Sequence, residues 1–242
     1  MFQTLKQIVR IFTIEDFAKN PDAPLIDEAD RRALFVGLIN SEQITAYADS
    51  LTTGLPKDRV FQGLTEAWDI YDVKSAREII EWLRQAGHRA YYDEIYPLLK
   101  SSDQEKRNRL IEEKFGECAP EAIEFADNLA GCIASRGDNG FAAFNDENMK
   151  KGILAWDLGR LVVIARLCFD AGYIDEKTAW EVIRSAYEAA AKRYPNWKEF
   201  AISYLIGRGM FGGDSMMLNG LYSIAEKAFE DDNSPWKNIP LK

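Results

Sequence analysis

The sequence predicts an all-α fold, a compact multi-helix bundle around one buried helix near residues 147–171. Three observations carry the prediction. Helix start signals recur ahead of amphipathic runs along the chain. Strand-like alternation is nearly absent, and the Asn139-Gly140 pair is flanked by Asp138 and by Phe141-Ala142-Ala143-Phe144, not by β-branched runs. The stretch from Lys151 to Ala171 is apolar almost all round, the pattern of a helix in the middle of its fold.

Each element follows from a local signal. Ser41-Glu42 stands ahead of QITAYADSL and predicts a helix there. Asp72 precedes VKSAREIIEWLRQAG, and Gly87 sits where a C-terminal cap belongs. Ser101 to Glu105 offers two overlapping capping boxes, Ser101 with Gln104 and Ser102 with Glu105. The stretch from Ser135 to Asp146 reads as a loop whose aromatic residues pack. Asp175 opens EKTAWEVIRSAYEAAAKRY; Pro195 stops that helix, and Asn196 opens WKEFAISYLIGR with Glu199 at its third position. The glycine-dense stretch 207–214 fits no phosphate-binding loop and is expected to be a flexible connection between helices. Met216-Met217 is expected in the core. The whole chain, 1–242, is expected to form one helical domain, with residues 1–50 the less distinctive part.

Composition excludes several classes of function. Thirty basic residues face 39 acidic ones, a net charge of −9, which disfavours nucleic acid and anionic lipid surfaces as partners. No run approaches the roughly 20 apolar residues of a membrane span. The longest, Leu158 to Ala171, is interrupted by Arg160, Arg166 and Asp170. Residues 1–17 lack the apolar core and cleavage site of a signal peptide. Cys118, Cys132 and Cys168 form no C-x-x-C pair, so reduced thiols in a cytoplasmic protein are expected. His88 is the single histidine, so no zinc site built on several imidazoles fits in one chain, and no nucleophile-elbow pattern accompanies it. At Gly87-His88-Arg89 it reads as a cap or packing residue. No metal and no cofactor are expected.

The central helix holds the functional candidates. On a helical wheel Trp156, Val163, Ile164 and Leu167 share one side, and the polar stripe is narrow: Gly159, Arg166 and Asp170. Asp157 and Arg160 then point into protein and stand close enough along the helix to meet. In the helix from Trp197, Ala201, Tyr204 and Arg208 continue one face, so Arg208 either points inward or caps the last carbonyls. Two readings stand. A buried ion pair sets helix register. Alternatively, Arg160 and Arg208, with Tyr173, Tyr204 and Trp180 nearby in sequence, hold a carboxylate or phosphate, with Asp157 or Glu181 as general base.

Three segments, AWDLGR at 155–160, DAGYIDEKTAWEVI at 170–183 and NWKEFAISYLIGR at 196–208, resemble the signature of the bacterial DUF1266 family. AWDIYDVKSAREIIEWLRQAGHR at 67–89 is similar to its upstream element, and SPWKNIP at 234–240 to its closing Pro-Trp element. The likeness covers residues 51–242 and departs at Met210-Phe211, where the pattern carries a tryptophan after Gly-Arg. The resemblance implies a helical bacterial protein, cytoplasmic and without an assigned activity. It marks Trp156, Asp157, Arg160, Tyr173, Trp180, Trp197, Tyr204 and Arg208 as shared positions, which together make the candidate pocket. From the sequence, a non-enzymatic module that docks an unknown protein partner leads. The alternative is a binder or enzyme acting on a small anionic molecule through a buried Asp/Arg/Tyr cluster.

Overall fold

A helix that is apolar on every face must be covered on every face, and that requirement organises the molecule. The computed structural model describes residues 17–101, 103–138 and 140–242. In chain order the helices are α1 (Glu28–Phe35), α2 (Leu38–Ile44), α3 (Lys57–Trp68), α4 (Val73–Gln85), α5 (Arg89–Ile95), α6 (Gln104–Phe115), α7 (Ala119–Arg136), α8 (Asp146–Met149), α9 (Leu154–Asp170), α10 (Glu176–Arg193), α11 (Trp197–Gly212), α12 (Met216–Glu230) and α13 (Pro235–Asn238). No strand occurs among the described residues. Every residue of α9 from Ala155 to Cys168 is buried, and α10, α11, α4, α2 and α3 pack around it. The expected buried helix is therefore real. It begins at Leu154, because Gly152 at φ +74° separates it from the short α8.

Several ends are set as the caps predict. Asp72 accepts from the Ser75 amide (2.7 Å) at the start of α4, and Gly87 takes the left-handed backbone (φ +58°) beyond its end. Asp175 accepts from Thr178 N (2.7 Å) and Asn196 from Glu199 N (2.9 Å). The loop after Arg136 buries Ala142, Ala143 and Phe144, as its aromatics suggest. The closing element packs too: Trp236 stacks on Trp197 (5.1 Å between centroids) and donates its indole N–H to Phe35 O (2.9 Å). The three cysteines are unpaired. No helix among the described residues is long and apolar enough to cross a membrane.

Other expectations fail, each for a tertiary reason. Ser41 does not open a helix. It lies buried inside α2, its hydroxyl bonded to Gly37 O (2.9 Å), and the residues after Ile44 leave the helix at Thr45 (φ +63°). The cap of α6 is Asp103, which accepts from Lys106 N (2.9 Å); Ser102, assigned to a capping box, falls outside the described residues, as do residues 1–16 and Asn139. The glycine-rich stretch is helical through Gly212. Gly207 and Gly209 are sites of close approach: a Cβ there would stand 2.3 Å from Trp156 Cβ and 2.5 Å from Phe144 Cζ. Met216 is exposed at the first position of α12, and Met217 is half-buried. The polar stripe expected on α9 is not a solvent face, because Gly159 lies against the Tyr204 ring and Arg166 is fully buried.

Candidate functional site

Two sequence motifs meet at one carboxylate. Asp157, fully buried on the first turn of α9, accepts four hydrogen bonds. Its Oδ1 takes the His88 amide (3.0 Å) and Arg160 Nη2 (2.6 Å). Its Oδ2 takes the Arg89 amide (3.1 Å) and Arg89 Nη1 (2.9 Å). The first amides of α5 are thus capped by a side chain from a distant helix. Gly87 makes this possible, since a Cβ there would lie 2.3 Å from Asp157 Oδ2. Arg89 also donates to Leu83 O (2.9 Å) and Arg84 O (2.6 Å), closing the end of α4.

Arg160 carries the cluster toward solvent. Its Nε donates to Trp156 O (3.1 Å), and its Nη2 serves both Asp157 and His88 Nδ1 (2.8 Å). His88 Nδ1 is the acceptor, so the ring proton sits on Nε2. Burial, and after it the adjoining Arg160 charge, push the imidazole down to about 3, so His88 is neutral at physiological pH. Burial also lowers Arg160 to about 10, with Asp157 opposing, and the guanidinium stays charged. Its carbon lies 4.3 Å from the Trp156 ring centre and 5.3 Å from that of Trp68. Nη1 has no hydrogen bond among the described residues, and it is not sealed from solvent.

Arg160 lines a cavity of about 920 Å³ between α2, α3, α4 and α9. Trp68, Trp82, Trp156 and Phe211 supply aromatic wall, and Ile44, Leu55, Val163, Ile164 and Leu167 supply aliphatic wall. Arg59, Gln62, Thr65, Glu66 and Asp69 on α3 and its end form a polar side. Phe211, 44% exposed, contacts His88 edge-on at 5.2 Å and Trp156 at 5.9 Å. Around the floor several buried polar atoms have no hydrogen-bond partner among the described residues. They are Trp156 Nε1, the Tyr204 hydroxyl, Asn40 Oδ1 and Arg208 Nη1. The Asn40 amide lies beside the Tyr204 hydroxyl without closing a bond of normal geometry. Buried orphans of this kind cost stability unless something satisfies them.

Among the residues singled out from the sequence, the structure gathers Trp156, Asp157, Arg160, Tyr204 and Arg208. Tyr204 packs edge-on to Trp156 at 5.1 Å, and its hydroxyl faces both arginine charges. Tyr173, Trp180 and Trp197 make their contacts elsewhere. Tyr173 donates to Tyr71 O (2.9 Å), Trp180 lies under Arg184 (5.5 Å), and the Trp197 indole donates to Ile239 O (2.9 Å). Arg208 does not cap the end of α11; it is half-buried and makes no hydrogen bond among the described residues. Asp157 cannot serve as a general base, because both oxygens are filled by donors, and Glu181 is exposed on α10 opposite Lys177. His88, Arg89, Asn40, Trp68, Trp82 and Phe211 were missed as site residues. The Gly-His-Arg triplet was the available signal, because a left-handed glycine ahead of two polar residues marks a backbone that something approaches closely.

The fold and site define an all-α protein with one buried carboxylate tying two helices and two arginines to the floor of an open cavity. The chain belongs to the DUF1266 family, described as proteins of unknown function, whose match spans residues 63–241. Both motifs that meet at Asp157 lie inside the matched region. Comparison with curated proteins and with solved structures gives no match.

Proposed function

We propose that this chain binds a small anionic molecule in the cavity floored by Arg160. One observation carries the reading: the cluster holds more positive than negative charge beside an accessible cavity. A single carboxylate, Asp157, is shared by Arg89 and Arg160. Arg208 stands near Arg160 as a like charge, and among the described residues the charges acting on it are those of Arg160, Tyr204 and Cys132. Asp93, on the outer side, answers Arg89. Glu66 and Asp69 line the α3 side of the cavity, so the positive excess belongs to the Arg160 end, where it suits an anion. The cavity volume is in the range of small-molecule sites. Trp156, Asp157, Arg160, Tyr204 and Arg208 form the binding floor in this reading, and the protein is a cytoplasmic one.

A second reading has its own observation. Phe61, Tyr71 and Val73 are exposed and cluster with Tyr173, which touches Phe61 ring to ring (6.0 Å) and donates to Tyr71 O. An apolar patch of this kind suits a protein partner.

Thermal-shift measurements with acetate, benzoate and inorganic phosphate separate the two. The anion reading expects at least one of them to raise the melting temperature of the wild type and not that of Arg160→Met. If none acts on the wild type, the cavity is not an anion site and the apolar patch becomes the place to look.

A further inference from the structure

We infer that the anion taken at the Arg160 end of the cavity is a phosphate group, and that Arg208 is its second arginine. The inference rests on the anion reading and narrows it. It starts from donors that the fold leaves unused. Trp156 Nε1, the Tyr204 hydroxyl and Arg208 Nη1 are buried without a hydrogen bond among the described residues. Arg160 adds a nitrogen, Nη1, that also has none. These groups gather round Tyr204. Its ring meets Trp156 edge-on at 5.1 Å, and its hydroxyl lies beside Asn40 and faces the charges of both arginines. Arg208 follows it one turn along α11. A Cβ added at Gly159 would lie 2.9 Å from the Tyr204 ring and 3.1 Å from Asn40 Oδ1, so those two groups share one small space.

The number of donors decides the class of anion. A carboxylate offers about four lone-pair positions. Each free guanidinium nitrogen carries two hydrogens, so the two arginines alone fill a carboxylate and leave the indole N–H and the phenol O–H over. A phosphate group has at least three strong acceptor oxygens round one centre and takes them all. Asn40 Oδ1 is the unpartnered acceptor in this set. Hydrogen phosphate brings a hydroxyl for it, and sulfate does not.

Access runs through Phe211. Trp156, Asn40 and Arg160 line the cavity, whereas Tyr204 and Arg208 stand behind that lining. Phe211 touches both sides. It lines the cavity, lies against His88 and Trp156, and its ring centre is 5.8 Å from the Arg208 guanidinium carbon. It is 44% exposed on the last turn of α11, so its ring has solvent to turn into. Turned outward, it uncovers Arg208 from the cavity side.

The test uses the full chain, titrated calorimetrically at pH 7 with inorganic phosphate, sulfate, acetate and benzoate. Phosphate should bind about tenfold more tightly than each of the others. Tyr204→Phe deletes only the unpartnered hydroxyl. It should weaken phosphate binding about tenfold and leave the melting temperature of the free protein unchanged or higher. Arg208→Met should act in the same way with a larger loss of affinity, and Phe211→Ala should tighten phosphate binding. Acetate, benzoate or sulfate binding as tightly as phosphate overturns the inference and leaves the anion reading intact. So does full phosphate affinity in Tyr204→Phe or Arg208→Met. A melting temperature lowered by about 3 °C or more in Tyr204→Phe shows that the hydroxyl already has a partner, and it overturns the inference too. Weaker phosphate binding in Phe211→Ala overturns the route to Arg208. Binding by none of the four anions overturns both the inference and the anion reading.

Discussion

Helix α9 carries two buried arginines that are treated in opposite ways. Arg166 is fully buried, and every nitrogen of its guanidinium finds an acceptor. Nε donates to Leu51 O (3.2 Å), Nη1 to the Ser41 hydroxyl (2.8 Å), and Nη2 to Tyr47 O (2.6 Å) and Thr52 O (3.1 Å). It organises the irregular chain between α2 and α3, with Asp170 fixing Thr53 beside it through the Thr53 amide (2.8 Å). Arg160 shares its carboxylate with a second arginine, donates to a histidine, lines a cavity, and keeps one nitrogen without a hydrogen bond among the described residues. The comparison separates burial from use. Arg166 is structural, with no donor left over; under the anion reading, the nitrogen that remains on Arg160 is the one a ligand would use.

The comparison can be broken most severely at Asp157. Asp157→Asn removes the charge that Arg89 and Arg160 share and weakens the cap of α5. A loss of about 4 kcal/mol in urea unfolding is expected, as for other buried pairs cut at one partner. A loss below about 1 kcal/mol would mean that the cluster is solvated, and the excess-charge argument would fail with it. Arg166→Met comes next. It strands the carbonyls of Tyr47, Leu51 and Thr52 and the Ser41 hydroxyl, at about 3 kcal/mol. Anion binding should be unchanged in that variant, and loss of binding would show that the two arginines are not separable.

How much of this was legible in the sequence depends on whether the signal was local. Asp72, Asp175 and Asn196 cap their own helices, so their neighbours reveal them. The apolar run of α9 and the Asp157–Arg160 pair were equally readable, because both live on one helix. Ser41 misled because its hydroxyl answers Arg166 from across the fold. Arg166 misled because a wheel sees one helix and not the loop that wraps its polar edge. The glycines at 207 and 209 look like a hinge until Trp156 and Phe144 are placed against them. At the site, Gly87-His88-Arg89 and Trp156-Asp157-Leu158-Gly159-Arg160 were both visible as motifs, but nothing in either says that one caps the other. Apart from Ala67-Trp68-Asp69, which opens the element at 67–89, the cavity walls on α2 and α3 carried no motif.

Arg160→Met sharpens the contrast from the other side. Asp157 keeps both α5 amides and Arg89, so the stability loss should be near 2 kcal/mol, below that of Arg166→Met, while anion binding disappears. A variant that loses as much stability as Asp157→Asn would show that Arg160 is primarily structural.

The most graded effect is the dependence on pH through His88. Its folded-state pKa lies near 3 and its unfolded value near the ordinary 6.5 of imidazole. The unfolded chain therefore takes up the proton first as the solution is acidified. The stability contributed by the neutral buried imidazole is complete above pH 6.5 and is lost as pH falls toward 3, at no more than about 1.4 kcal/mol per pH unit. His88→Gln keeps a neutral acceptor for Arg160 and removes the titration. Chemical unfolding followed from pH 7 to pH 4.5 should show a shallower acid limb in that variant than in the wild type. Parallel limbs would mean that His88 is protonated in the folded protein, and Nδ1 would then be no acceptor for Arg160. The guanidinium would turn away from His88, and the arrangement that leaves Nη1 alone without a hydrogen bond among the described residues would not hold.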